Sequence, residues 1–209
     1  ASVVQVTQKI IKLIDSYMEK NPGIDISIEY NSSDIITSSL WSVGKTLIAG
    51  VLISMAVLFI FFGDFKASLI VGSSMPVSIL ATLILMSMMG YSMNIVTMGS
   101  LVIAIGMIVD NSIVVIESCF RWKDSEESYW DAAFKGTKTV TMSIIASTIT
   151  TIVVYLPLAT VDDLAGQLFG QLGFTIVFAM VSSLISAMTL VPLFYLLFKP
   201  KEKKNIPAN

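Results

Sequence analysis

The sequence has no histidine and only one cysteine, Cys119, in 209 residues. Without histidine there is no Ser-His or Cys-His nucleophile and no imidazole metal ligand. A lone cysteine excludes an internal disulfide framework and any CxxC metal site. Charge is scarce as well: 13% of residues are charged, about half the usual share of a soluble domain. Arg121 is the only arginine beside twelve lysines, and the net charge of −2 argues against a nucleic-acid partner. What replaces charge is apolar surface. Hydrophobic residues make up 55% of the chain and mean hydropathy is +0.81, the profile of a membrane protein.

Two kinds of sequence alternate along the chain. Residues 2–20 place Val3, Val6, Ile10, Ile11, Ile14 and Met18 at helical spacing, and Asn21-Pro22-Gly23 ends that helix. Residues 24–30, IDISIEY, alternate as a half-buried strand does. One helix and one strand are too little for a core, so residues 1–40 read as a small α+β piece of a larger soluble domain. The chain starts on Ala inside this polar stretch, as a fragment of something longer does. Residues 31–42 read as a polar connector rich in Ser and Thr.

Five apolar segments follow, at about 43–62, 67–89, 94–118, 139–158 and 174–198. Each is near the ~20 residues that cross a bilayer. The expected fold is therefore an all-α bundle of five transmembrane helices within 41–200, with 201–209 as a tail. Lys66, then Arg121, Lys123, Lys135 and Lys138 in the loop 119–138, and Lys199, Lys201, Lys203 and Lys204 fall on one side if every helix crosses. The opposite loops, 91–93 and 159–171, have no Lys or Arg and carry Asp162 and Asp163. The basic side is then cytoplasmic, and the helix-strand piece is outside. Within the basic loop, 122–138 reads as a short amphipathic helix. Trp130, Ala133 and Phe134 either lie on the membrane surface or belong to a solvated linker.

Asp110 is the candidate for chemistry. It lies in LVIAIGMIVDNSIVVI, an otherwise apolar run. A carboxylate in mid-span costs roughly 2.5–3.5 kcal/mol on insertion scales, and such residues usually serve ion or proton relay, substrate binding or pairing with a cation. At 100° per residue Gly99, Gly106, Asp110 and Glu117 share one helix face. Glycines beside an acid let another helix approach closely, so Asp110 should point into a bundle. Asn111 and Ser112 flank it and are placed to hold a water. Glu117 reads as a helix-end acid at the interface, with a place in a polar path as the alternative. The fourth segment carries Thr139, Ser143, Ser147, Thr150 and Thr151 along one side, and the fifth carries Thr175, Ser182, Ser186 and Thr189. Such hydroxyls either line a wet path, with Ser143, Ser147 and Thr150 as its members, or hydrogen-bond between helices. Pro76, Pro157 and Pro192 each leave a backbone carbonyl without its N–H and favour a kink. Met86, Met88, Met89, Met93, Met98 and Met107 include enough thioether for copper(I), yet with no Cys or His beside them they read as core filler. No metal site is expected.

The run GSLVIAIGMIVDNSIVVIES, residues 99–118, resembles the fourth transmembrane helix of the resistance-nodulation-division (RND) efflux transporters. The turn Gly90-Tyr91-Ser92-Met93-Asn94, the segment MPVSIL with Pro76, the run Tyr155-Leu156-Pro157-Leu158 and the closing Pro192 and Lys199-Pro200 also fall where that family has them. The nearest subgroup is the hydrophobe/amphiphile, acriflavine-resistance-type multidrug pumps. The resemblance implies helices two to six of the N-terminal half, with residues 1–40 as the end of an extracytoplasmic porter region. It implies a secondary active transporter, not an enzyme, that exports amphiphiles from the cytoplasmic membrane against proton influx. Protons are the coupling ion and no other cofactor is implied. The implied partners are membrane lipid, the second half of the same transporter, two further copies in a homotrimer and, where the host has an outer membrane, a periplasmic adaptor and an outer-membrane channel. Asp110 matches the first of two adjacent relay aspartates in many drug pumps. Asn111 stands at the second, so any relay here rests on one acid. Other readings are an RND-type helper of protein or lipid export, a structural bundle without activity of its own, and an intramembrane aspartyl protease. The last would need a second deep acid that no other apolar segment supplies.

Overall fold

The computed structural model describes residues 3–21, 23–28, 31–91, 93–125, 128–160 and 164–201. Six α-helices follow one another: α1 (Val3–Lys20), α2 (Ser32–Phe62), α3 (Phe65–Met88), α4 (Ile95–Asp124), α5 (Tyr129–Tyr155) and α6 (Leu164–Phe198). A 3-10 turn, Leu156–Thr160, continues α5. Asp162 and Asp163, and Lys203 and Lys204 of the tail, lie outside the described residues, as do Pro22 and Ser92 of the expected turns.

The chain divides into two compact units, Ala1–Lys45 and Thr46–Asn209. In the first, α1 leaves Val6, Ile10, Leu13 and Tyr17 exposed along one stripe. The expected strand does not form among the described residues: 24–28 is irregular, and its outer residues 29 and 30 are not described. A strand needs a neighbour to complete its hydrogen-bond ladder, and no described residue of this unit supplies one. Its only described tie to α1 is the Ile26 N–H on Met18 Sδ at 3.4 Å.

Among the described residues five helices are long and apolar enough to cross a membrane, the first of these spans beginning at Thr37 and the other four lying in the second unit. Four of the five, α2, α4, α5 and α6, outrun their apolar segments, and α6 starts at Leu164, inside the expected loop 159–171. The expected connector 31–42 is helical from Ser32 and forms the start of α2. The expected separate helix at 122–138 is split: Trp122–Asp124 belongs to the end of α4, and Tyr129 onward forms the first turns of α5. Ala133, expected on the surface, is buried, whereas Trp130 and Phe134 are exposed. Apolar runs measure the bilayer, but a backbone ladder already formed extends past it at little cost. The helix ends set by turn residues are where the sequence places them. Gly63 and Gly90 adopt φ of 63° and 77°, which a side chain would strain. Asp64 and Asn94 cap the helices that follow.

The core lies where α4 is enclosed by α3, α5 and α6, around Ile70, Val71, Ile108, Val115, Ile116 and Tyr195. Phe62 of α2 meets Phe120 of α4 at 5.9 Å between ring centres, and Met55 of α2 presses on Gly72 of α3. The three basic segments converge at one end of the bundle. There Lys66 Nζ donates to the Phe198 carbonyl at 3.0 Å, and Tyr129 OH donates to the Pro200 carbonyl at 3.3 Å.

Candidate functional site on α4

The rotation of α4 about its axis is fixed from both ends. Asn94 and Thr97 close a capping box at its start, and Asn94 Nδ2 also donates to Gln171 Oε1 of α6. Tyr91 packs against Phe174 and Phe178 beside it, with ring centres 5.6 and 6.2 Å away. At the far end Tyr195 of α6 packs on Phe120 and donates to the Cys119 carbonyl at 3.3 Å. Ser118 donates to the Gly136 carbonyl of α5 at 2.9 Å.

Between these ends, three consecutive residues point in three directions. Asn111 Nδ2 donates to Ser183 Oγ of α6 at 3.1 Å. Ser74 Oγ of α3 and Ser112 Oγ are 2.8 Å apart. Ser74 has one proton and gives it to the Val71 carbonyl at 2.6 Å, so Ser112 must be the donor of that pair. With Asn111 committed to α6 and Ser112 to α3, Asp110 takes the remaining direction.

That direction is open. Ile103, Gly106, Asp110, Val114 and Glu117 are all exposed, and they lie within ~40° of Asp110 around the helix. A methyl group added at Gly99 or Gly106 would meet nothing within 4 Å. Asp110 makes no hydrogen bond or ion pair with a described residue. Two expectations change accordingly. Asp110 does not point into the bundle formed by these helices, because α3, α5 and α6 occupy the other sides of α4. Asn111 and Ser112 turn away from it, each inward to another helix.

The hydroxyl-bearing residues separate into two groups. Ser143, Ser147 and Thr150 are exposed on α5, with Thr150 bonded back to the Ala146 carbonyl at 2.9 Å. Thr148 on α5 and Ser182 and Ser186 on α6 are buried, and their hydroxyls have no partner among the described residues. Glu117 pairs with Arg121 one turn on at 3.0 Å, with 54% of the glutamate side chain exposed. Of the six clustered methionines, Met86 and Met98 are buried while Met88, Met89 and Met93 are exposed. Sequence reasoning missed Ser74 and Ser183. Each is a small polar residue in an apolar helix, but only the register of facing helices shows which polar residue it meets.

Residues 1–206 match the AcrB/AcrD/AcrF family. The chain belongs to that family, a branch of the RND transporters. It is 34% identical over 203 residues to the swarming motility protein SwrC of Bacillus subtilis, covering 95% of this chain and 19% of that protein. It is 34% identical over 194 residues to an uncharacterized transporter of Haemophilus influenzae, covering 92% and 19%. It is 31% identical over 211 residues to the multidrug resistance protein MdtC of Escherichia coli, covering 99% and 21%. The chain thus spans about a fifth of the length of these relatives. With five apolar helices and transporter relatives, it is a multi-pass membrane protein.

Proposed function

We propose that this chain is part of the proton-coupling transmembrane domain of a pump that exports amphiphilic compounds. The observation that carries the reading is Asp110. It is a carboxylate far from either end of a spanning helix, unpaired by any described residue, on a face lined by Gly99 and Gly106. Uncompensated charge at that depth is costly, which points to a counterpart on another segment of the whole transporter. The glycines leave room for a helix to bring that counterpart close. A carboxylate in such a seam can take a proton from one side and give it to the other as the seam opens and closes.

In this reading Asp110 alone carries the coupling proton, and Asn111 anchors α4 to α6. Ser143, Ser147 and Thr150 are the candidate polar path, and Glu117 lies at its edge. The basic end of the bundle is cytoplasmic and residues 1–40 are extracytoplasmic. The second half of the transporter covers the open face. The working assembly is a trimer, joined to an adaptor and an outer-membrane channel where the envelope has them. The name of MdtC, multidrug resistance, supports this substrate class; the swarming motility of SwrC points to no single compound.

The test is efflux by the full-length parent in everted vesicles, wild type against Asp110→Asn, with a fluorescent amphiphile and matched expression. Loss of both efflux and substrate-induced proton release is expected. Retained activity would remove Asp110 from the relay.

A further inference from the structure

On the side of the bundle where α5 and α6 pack, a groove of about 470 Å³ runs along the basic half. Its α6 wall includes Met188, Pro192 and Leu193 and its α5 wall Trp130, Phe134 and Lys138. Pro192, inside α6, has no N–H to give the Met188 carbonyl at this point of the groove. The lining is almost wholly apolar, and Trp130 and Phe134 stand 68% and 64% exposed at its rim.

Beside Thr137 and Thr141, Lys138 is the one charged residue of the described lining. It lies within the spanning helix Tyr129–Leu158, is exposed, and has no ion pair among the described residues. The other charges on the first turns of α5 are engaged. Asp131 is bonded to Ser128 at the helix cap, and Lys135 lies over the Trp122 ring at 5.5 Å. An ammonium in a spanning segment needs a counter-ion or a route to the headgroups. A cation above an apolar trough, with an aromatic side chain at the rim, matches a molecule with an anionic head and a hydrocarbon tail. The dimensions agree. From Met188 to Leu196 the α6 wall rises ~12 Å, most of one leaflet of a ~30 Å hydrocarbon core, and it lies within the apolar segment 174–198.

We propose that the α5–α6 groove is a binding site for an anionic phospholipid, with one acyl chain along Pro192 and Leu193 and the phosphate on Lys138. The site is separate from the Asp110 face and does not depend on the transport reading. It predicts preference by headgroup charge, not merely occupancy by whatever lipid is at hand.

The full-length parent, carrying Leu193→Cys labelled with a small fluorophore, would be placed in nanodiscs of phosphatidylcholine. Equal mole fractions of chain-brominated phosphatidylglycerol or phosphatidylcholine are then added as quenchers. Stronger quenching by the glycerol lipid is expected, by roughly fivefold in apparent affinity, the scale of one lysine near an anionic surface. Lys138→Gln should abolish the preference and Lys138→Arg should keep it. Equal quenching by both lipids would overturn the proposal, as would a preference that survives Lys138→Gln. No quenching by either would mean that a protein segment fills the groove, and would overturn it too. Displacement by a cationic amphiphile as effective with Gln as with Lys at 138 would make the groove a site for uncharged tails and likewise refute the headgroup assignment. A second label at Phe134→Cys guards against misfolding of the first.

Discussion

Asn111 on α4 donates to Ser183 on α6 at 3.1 Å, and Ser183 passes its own proton to the Ile108 carbonyl at 2.9 Å. The relay ties one turn of α4 to α6 and makes the asparagine a structural residue. An interhelical hydrogen bond inside a membrane is worth about 0.6 kcal/mol on average, up to ~1.7. Asn111→Ala and Ser183→Ala should each destabilise the protein, and together by less than the sum. A double-mutant cycle on unfolding in mild detergent reads the coupling, expected at about 0.5–1.5 kcal/mol. Additive losses would mean that the two side chains do not act as a pair. Asn111→Asp should lower stability without adding transport, because the Ser183 proton is already committed to Ile108.

Asp64 performs two tasks with one carboxylate. Oδ1 accepts from the Lys66 N–H at 2.6 Å and the Ala67 N–H at 3.4 Å, capping α3, while Oδ2 accepts from the Lys201 N–H at 2.6 Å. Asp64→Ala should cost about 1–2 kcal/mol, the worth of an N-cap, and also release the chain after α6. Trypsin cleavage at Lys199 and Lys201 in the native protein should accelerate. Asp64→Asn keeps the cap but turns an amide donor toward the Lys201 N–H, so it should accelerate cleavage with a smaller loss of stability. Unchanged cleavage in both variants would show that the tail is held by Lys66 and Tyr129 instead.

How far the sequence carried can be read from these residues. Five apolar runs of the right length revealed the helices, and Gly63-Asp64 and Gly90 marked two of their ends, because bilayer thickness and positive φ leave local signatures. Helix length beyond the bilayer was not legible. The starts of α2 and α5 are polar, and only the continuous backbone shows that they belong to the same helices as the spans. Asp110 stood out because its chemistry conflicts with its surroundings. Its direction did not, because rotation of α4 is set by Ser74 and Ser183, residues 36 positions before it and 73 after it. The strand at 24–30 failed for a related reason: alternation describes a strand's two faces, but pairing needs a neighbour.

Glu117 offers a sharper test of the polar path than the hydroxyls do. Its pair with Arg121 is solvent-exposed and of the i,i+4 kind, worth about 0.3–0.5 kcal/mol. Glu117→Gln should therefore leave both thermal stability and efflux by the full-length parent close to wild type. A large fall in efflux with stability intact would place Glu117 in the proton path.

Two glycines with opposite surroundings separate what this bundle needs from what the whole transporter needs. A methyl group at Gly136 would lie 2.8 Å from both the Cα and the N of Cys119 and 3.0 Å from the Ser118 carbonyl carbon. These are backbone atoms and cannot rotate away. Gly136→Ala must push α5 off α4 and stretch the Ser118 bond to the Gly136 carbonyl. It should cost about 1–3 kcal/mol or more, as overpacking does, visible as a fall in the yield of folded protein and in melting temperature. At Gly106 the added methyl meets no described residue within 4 Å, and alanine is the better helix former by up to ~1 kcal/mol. Gly106→Ala should thus leave the bundle's own folding unharmed. If another helix of the full-length parent packs on the Asp110 face, the same change should reduce proton-coupled efflux while expression and melting temperature hold. Unchanged efflux would mean that the face around Asp110 stays open to lipid or water in the working protein, and that its counter-charge arrives from farther away than a packed helix.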